Sequence, residues 1–120
     1  MQSDSLGNPL TVTESASVRA VDDFVMGFIS CEARAVNVLS AAGDPSPIVQ
    51  AYCAALHMFA ESHDAASNAR PFIERAQAEA ARATSREQRF IAAIAAWVDG
   101  DIARAIALHH EQAREHPRDL

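Results

Sequence analysis

The sequence contains no lysine, and all ten of its basic residues are arginines that form no cluster. The formal net charge is −6 at pH 7. Nucleic-acid binding depends mainly on neutralising phosphates with basic side chains, and attachment to an anionic membrane needs a basic surface. The charge pattern therefore argues against nucleic acid and against a membrane surface as partners.

Long apolar runs, leader signals and cysteines are scarce as well. No stretch approaches the roughly 20 apolar residues that a bilayer-spanning helix needs, and residues 1–7 show no signal-peptide pattern. Cys31 and Cys53 are too few for a disulfide scaffold or a clustered metal site. These features predict a cytoplasmic protein.

Aromatic residues make up only 6% of the chain, whereas 26 of the 120 residues are alanine. A sheet of any size would need more β-branched and aromatic side chains. Alanine has the best intrinsic helix propensity and a small side chain, so it favours helices that pack closely together. The composition predicts one all-α domain without strands.

The spacing of apolar residues divides the chain into an N-terminal arm over 1–12 and a single helical-repeat domain over 13–120. Six helices are expected there, in three stacked hairpins at about 13–43, 46–83 and 84–117. Three successive helix–turn–helix units are the pattern of a helical repeat protein.

Capping residues give the expected starts of these helices. The predicted N-terminal caps are Thr13 for the first helix, Ser67 or Asn68 for the fourth, Thr84 for the fifth and Asp101 for the sixth. Glu87 follows Thr84 at the spacing of a capping box, and Pro71 is expected in the first turn of the fourth helix.

The last hairpin has the spacing of a tetratricopeptide repeat over 86–119. Gly100 lies in its turn, Ala105 stands where the two helices cross most closely, and Pro117 follows the second helix. Three residues depart from the repeat's usual pattern. Arg89 stands in place of a tryptophan, His109 in place of an aromatic residue and Gln112 in place of an alanine. The spacing predicts a tetratricopeptide-repeat-like fold.

Four segments resemble the N-terminal part of the tetratricopeptide repeat protein 38 family: 6–13, 84–88, 96–101 and 115–120. They match its opening, its arginine-glutamate-glutamine helix start, its glycine turn and its histidine-proline-x-aspartate ending. Members of that family continue with further helical repeats, so the resemblance implies an N-terminal piece or a short relative. It implies a scaffold or binding role and carries over no catalytic residue.

A groove along the first helices of successive hairpins is the predicted binding surface. Phe90, Ile94 and Trp97 recur at one-face spacing and are expected to line it, and the alignment of the middle hairpin adds Met58. The predicted function is a protein-interaction scaffold or binding module without catalytic activity. The alternatives are that these residues pack against a further hairpin, or that the groove serves a small-molecule-binding protein or an enzyme fragment.

Residues able to support metal binding or catalysis are scattered. His57 and Glu61 form the one helical pair at ligand spacing, and Cys53 lies one turn before His57. A buried packing role is expected for Cys53, because cysteine is among the most buried residue types. We expect no metal, no cofactor and no catalytic residue.

The last predicted helix carries an apolar face that includes Ile102, Ala105 and Ile106. An apolar face at the end of a helical stack needs a cover, because large exposed apolar patches are unusual on stable monomers. The sequence therefore predicts a protein partner or a homodimer that forms through the last hairpin.

Overall fold

The computed structural model describes residues 2–119, most of which are helical. The elements in this range are strands β1 (Gln2–Ser3) and β2 (Pro9–Leu10), α1 (Ala16–Ile29), a 3₁₀ helix (Ala33–Ala41), α2 (Pro47–Phe59), α3 (Ala65–Ala78), a short 3₁₀ turn (Ala80–Arg82), α4 (Ser85–Val98) and α5 (Ile102–Glu115). The all-α fold class is confirmed. No helix within 2–119 has the length and apolar character to cross a membrane.

A two-stranded antiparallel ribbon precedes the helices, so the expectation of a chain without strands is wrong at this point. The Asp4 carboxylate shapes the turn between β1 and β2 by accepting hydrogen bonds from the backbone N–H of Leu6 (3.0 Å) and Asn8 (2.7 Å). Strands of two residues are too short for alternation to appear in a sequence. Leu10 is only 1% exposed, so the arm packs onto the helices.

The second predicted helix is a 3₁₀ helix. Its side chains packed on the core, Ala35, Val38 and Ala41, recur at every third residue. This spacing matches the three residues per turn of a 3₁₀ helix, which aligns residues i and i+3 on one side. Cys31, at a φ of 57°, turns the chain back so that this helix lies against α1.

The start of α3 differs from the prediction. The helix begins at Ala65 after an N-cap at Asp64, so neither Ser67 nor Asn68 is the cap, and Pro71 lies inside the helix. Ala65 is 8% exposed and part of the core, which favours an extra helical turn at this end.

Of the other three predicted caps, two are confirmed and one is wrong. The Thr84 hydroxyl accepts from the Glu87 N–H, and the Glu87 carboxylate accepts from the Thr84 N–H, which completes the capping box. Asp101 caps α5 as predicted. Thr13 caps no helix, because its N–H donates to the Ser46 hydroxyl at 2.7 Å and α1 starts only at Ala16.

Elements that follow each other in the chain form the most extensive contacts: α1 with the 3₁₀ helix, α2 with α3, and α4 with α5. In addition, α4 packs against both α2 and α3. Ala105 is 6% exposed on α5, as its small size at a close helix contact requires. The side chains of α2 from Ile48 to Ala55 are nearly all buried, which makes α2 the centre of the core.

Candidate functional site

A cavity of about 480 Å³ lies between α1, α2, α4 and α5. The chain has five phenylalanines, one tyrosine and one tryptophan, and six of these seven residues line the cavity. They are Phe24, Phe28, Tyr52, Phe59, Phe90 and Trp97. Ile94 and four other aliphatic residues complete the apolar wall, and His109, Gln112 and Asp119 supply its polar groups.

The rings contact one another across the helices. The Tyr52 ring lies 5.2 Å from the Phe24 centroid and 4.8 Å from that of Phe90. The Phe59 centroid is 4.1 Å from that of Phe28, and the Trp97 ring meets Phe59 edge-on at 4.8 Å. Tilted and edge-on aromatic pairs are favourable, so the rings hold one another in place.

Two of these rings are open to solvent. Phe28 is 43% exposed and Phe59 is 42% exposed, whereas Tyr52 is 3% exposed. The two phenylalanines form the rim, and Tyr52 is covered by the other rings. A large exposed aromatic side chain costs hydration free energy that an apolar occupant would remove.

Helical periodicity explains why the rings meet. Each helix contributes side chains three or four residues apart, which share one face: Phe24 and Phe28 from α1, Tyr52, Ala55 and Phe59 from α2, and Phe90, Ile94 and Trp97 from α4. The cavity is therefore the place where one face of each of these helices is left without a packing partner.

Three of the four groove residues predicted from the sequence, Phe90, Ile94 and Trp97, line this cavity. Met58 does not line it and is a core residue at 9% exposure. The prediction for Met58 counted back along the chain from the second helix of the hairpin. The α2–α3 connection over 60–64 is two residues longer than the α4–α5 connection over 99–101, so the count does not transfer, and Phe59 rather than Met58 lines the cavity.

The sequence reasoning missed the cavity residues of α1 and α2. Phe24, Phe28, Tyr52 and Phe59 have the apolar spacing that is typical of a stripe of core residues. The spacing of apolar residues along one helix does not report the distance between α1 and α4, and this distance decides whether their apolar faces pack together or leave a groove.

A buried ion pair closes the polar end of the cavity. Asp119 Oδ2 accepts hydrogen bonds from Arg86 Nη1 at 3.0 Å and from Gln112 Nε2 at 2.6 Å. The side chains of Arg86 and Asp119 are 5% and 7% exposed. Arg86 Nη2 donates to the Pro9 carbonyl oxygen at 2.8 Å, so this end joins the arm, α4, α5 and the segment after α5.

At this end of the cavity the structure favours the neutral forms of Tyr52 and His109, and the charge of Asp119 is balanced by that of Arg86. Burial, and secondarily the charge of Asp119, raises the pKa of Tyr52, so its hydroxyl stays neutral. Burial lowers the pKa of His109 below its ordinary value although Asp119 opposes the shift, so the neutral imidazole is favoured at pH 7. Since Arg86 compensates Asp119, the cavity suits an occupant without net charge.

The other residues considered for chemistry have structural surroundings. Cys53 is fully buried, its thiol donates to the Val38 carbonyl oxygen at 3.6 Å, and burial raises its pKa to about 11. The His57 ring stacks instead on Phe72 at 5.3 Å. In the part of the chain that the structure describes, no three His, Cys, Asp or Glu side chains group to hold a metal ion.

Comparison of the chain with models of protein families, with curated proteins and with solved structures found no match. The fold and the cavity together define the class of protein: an all-α chain with one aromatic-lined concavity that ends in buried polar groups. Large, mostly apolar concavities with a few convergent polar groups are the usual form of a ligand site.

Proposed function

We propose that the chain is a binding module without catalytic activity, built as a tetratricopeptide-repeat-like stack, whose aromatic cavity accepts an apolar segment of a protein partner. One observation carries this proposal: six of the seven aromatic residues converge on a single concavity, and two of them are more than 40% exposed. Partly exposed aromatic clusters are typical anchors of protein–protein contacts.

The packing order supports the repeat-like part of the proposal. The first elements of the three helix pairs, α1, α2 and α4, all line the cavity, as the first helices of stacked hairpins line a concave groove. The α4 helix contacts both members of the preceding pair. Kinship with the tetratricopeptide repeat protein 38 family belongs to the same proposal, and the Thr84 capping box and Gly100 turn lie within segments that resemble it.

The absence of catalysis is also part of the proposal. The Cys53 thiol is buried and remains protonated at neutral pH, which leaves it a poor nucleophile. The Asp119 carboxylate in the cavity is already engaged by Arg86 and Gln112, so it is poorly placed to act as a general base.

A free small molecule is the second candidate occupant, and the size of the cavity favours it. Pockets for small ligands usually measure about 300–1,000 Å³, and this cavity of about 480 Å³ lies in that range. The two occupants differ in what they need beyond the cavity, since a peptide also contacts the rim around Phe28 and Phe59.

Panning a random heptapeptide library on the immobilised chain tests the proposal. We expect enrichment of peptides with large apolar anchors, and we expect Phe28→Ala to weaken the selected peptides about tenfold because it removes rim contact area. Phe72→Ala is the matched control, because Phe72 is the one aromatic residue outside the cavity. Trp97 emission should change on binding.

Two results would contradict the proposal. Peptides whose affinity falls with Phe72→Ala and not with Phe28→Ala would place binding elsewhere. A library that yields no binder, together with Trp97 emission that changes with small apolar compounds, would favour the second candidate.

A further inference from the structure

We infer that the anchor this cavity selects is a tyrosine side chain of the partner, whose phenolic hydroxyl hydrogen-bonds the His109 imidazole at the polar end. This inference rests on the proposed function and names the chemistry of the occupant. Three observations support it: the position of His109 in the cavity, the hydrogen bonds that already occupy Gln112 Nε2 and Asp119 Oδ2, and the ion pair between Arg86 and Asp119.

His109 lies on α5 at the same end of the cavity as Gln112 and Asp119. Its ring meets Phe90 edge-on at a centroid distance of 6.4 Å, so the imidazole continues the aromatic wall. Among residues 2–119, no side chain or backbone group forms a hydrogen bond with its imidazole, and the residue is exposed to solvent. The imidazole is therefore free to pair with an occupant.

The Gln112 amide nitrogen and Asp119 Oδ2 are already engaged in hydrogen bonds. The Gln112 amide nitrogen donates to the Arg86 carbonyl oxygen at 2.7 Å and to Asp119 at 2.6 Å. Asp119 Oδ2 accepts from Arg86 as well. The Gln112 Oε1 atom has no hydrogen-bond partner among residues 2–119, but it is buried, whereas the His109 ring is exposed. An occupant that reaches this end therefore meets the His109 ring as a polar group that it can contact directly.

The charges around His109 favour a neutral partner. The titratable groups facing this end are Tyr52 on α2, Arg86 on α4 and Asp119 after α5, while α1 contributes only apolar side chains to the lining. Tyr52 is neutral and the other two compensate each other. The ion pair therefore offers a carboxylate or a cation no net attraction, and either would lose its hydration in the apolar cavity.

A phenol matches these constraints better than the other apolar side chains. A neutral imidazole offers one donor and one acceptor nitrogen, and a phenolic hydroxyl can both donate and accept. A phenylalanine ring could fill the same space, but it would cover the imidazole without replacing the hydrogen bonds that water gives it. An unreplaced hydrogen bond of this kind is unfavourable.

Two blocked tripeptides test the inference on the full chain: acetylated and amidated leucyl-tyrosyl-leucine and leucyl-phenylalanyl-leucine. Their affinities are measured through Trp97 emission, excited where tyrosine does not absorb. We expect the tyrosine peptide to bind about threefold to tenfold more tightly, the value of one hydrogen bond. His109→Ala should abolish the preference, and His110→Ala, at the adjacent histidine that does not line the cavity, should keep it.

The pH dependence provides a readout that a merely structural role of His109 would not change. Lowering the pH from about 7.5 through the lowered pKa of His109 protonates the imidazole, which must then lose its hydration beneath the occupant, so the affinity for the tyrosine peptide should fall. His109→Gln keeps a neutral donor and acceptor. This variant should retain the tyrosine preference and lose the pH dependence.

Each contrary result has a distinct meaning. Equal affinity for the two peptides, or a preference that survives His109→Ala, overturns the inference and leaves the proposed function standing. If neither peptide binds, the proposed function fails with it. The tyrosine side chain alone, tested as p-cresol, should bind far more weakly than the peptide, and equal affinity would overturn the protein segment as occupant.

Discussion

At the scale of single residues, Gly100 determines how α4 ends and α5 begins. Its φ of 81° lies in the left-handed region, and the turn is closed by hydrogen bonds from the Gly100 N–H to the Trp97 carbonyl and from the Asp101 N–H to the Ala96 carbonyl. A side chain at this φ is strained even though space around the position is open. The turn that sets the spacing of Trp97 and α5 therefore depends on glycine.

Gly100→Ala should lower the free energy of unfolding by about 1 kcal/mol because alanine disfavours the left-handed conformation. Urea denaturation measures the change. Gly43→Ala is the matched control: its surroundings are equally open and its φ is not in the left-handed region, so stability should be unchanged or slightly higher. Equal effects of the two substitutions would contradict the assigned turn.

Asp44 is a second residue with a measurable role. It is 2% exposed, and its carboxylate accepts from the Ser17 hydroxyl at 2.6 Å and from the backbone N–H of Glu14 and Ser46. Burial raises the pKa of Asp44, but these hydrogen bonds outweigh it and hold the pKa below the ordinary 3.8. The ionised carboxylate thus stabilises the fold at every pH above that ordinary value.

The stabilisation by Asp44 should disappear as the pH falls below 3.8 and through the lowered pKa of the folded state. Asp44→Asn should lower stability at neutral pH and flatten this acid limb, since the variant has no carboxyl to titrate. Chemical denaturation at a series of pH values measures both effects. Asp64→Asn, at an exposed helix cap without a side-chain hydrogen bond, should leave the limb unchanged, and an unaltered limb in Asp44→Asn would refute the assignment.

At the scale of elements, local signals predicted α4 and α5 well. The Thr84–Glu87 capping box and the Gly100–Asp101 turn are complete within a few residues of sequence, so neighbouring helices do not alter them. α1 begins at Ala16 and not directly after Thr13, because the Thr13 N–H donates a hydrogen bond to Ser46, which is distant in the sequence.

The candidate site was predictable only where its residues lie on one helix. The face of α4 with Phe90, Ile94 and Trp97 followed from one helix alone. The contributions of Tyr52 and Phe59 depend on how α2 is oriented relative to α1 and α4, which the pattern of one helix does not determine. The polar end depends on the contacts of Arg86 with Pro9 and Asp119, which are distant in the sequence, so no local pattern predicts them.

The contact between α1 and the 3₁₀ helix is tight at Gly27. An added Cβ there would lie 2.8 Å from the Ala35 nitrogen and 3.2 Å from its Cα. Gly27→Ala should therefore destabilise the chain by about 1–3 kcal/mol, as overpacking does. Alanine ordinarily stabilises a helix relative to glycine by about 1 kcal/mol, so a more stable variant in thermal or urea unfolding would show that the two helices are not in this contact.

At the scale of the whole molecule, α5 and the 3₁₀ helix both expose apolar side chains. Ile102 and Ile106 on α5 are 50% and 53% exposed, and Val36 on the 3₁₀ helix is 55% exposed. The association through the last hairpin that the sequence predicts would use the α5 pair. Burying two isoleucines from each copy would remove a large apolar area from water.

Sedimentation velocity over a range of concentrations tests this association. We expect a reversible dimer that Ile106→Arg converts to a monomer, because the substitution places a charge in the contact. Val36→Arg changes an equally exposed residue on the 3₁₀ helix and should leave the dimer intact. A wild-type chain that stays monomeric at high concentration would contradict a homodimer through α5.

The most direct test of the central claim, that the aromatic cavity is the binding site, is an NMR titration of the full chain with the leucyl-tyrosyl-leucine peptide. The account predicts shifts of the Ile94 methyl groups and of the Trp97 and Phe90 ring signals, with the methyl groups of Ile102 unmoved. Shifts confined to Ile102 and Ile106, or to Phe72, which all lie outside the cavity, would contradict it.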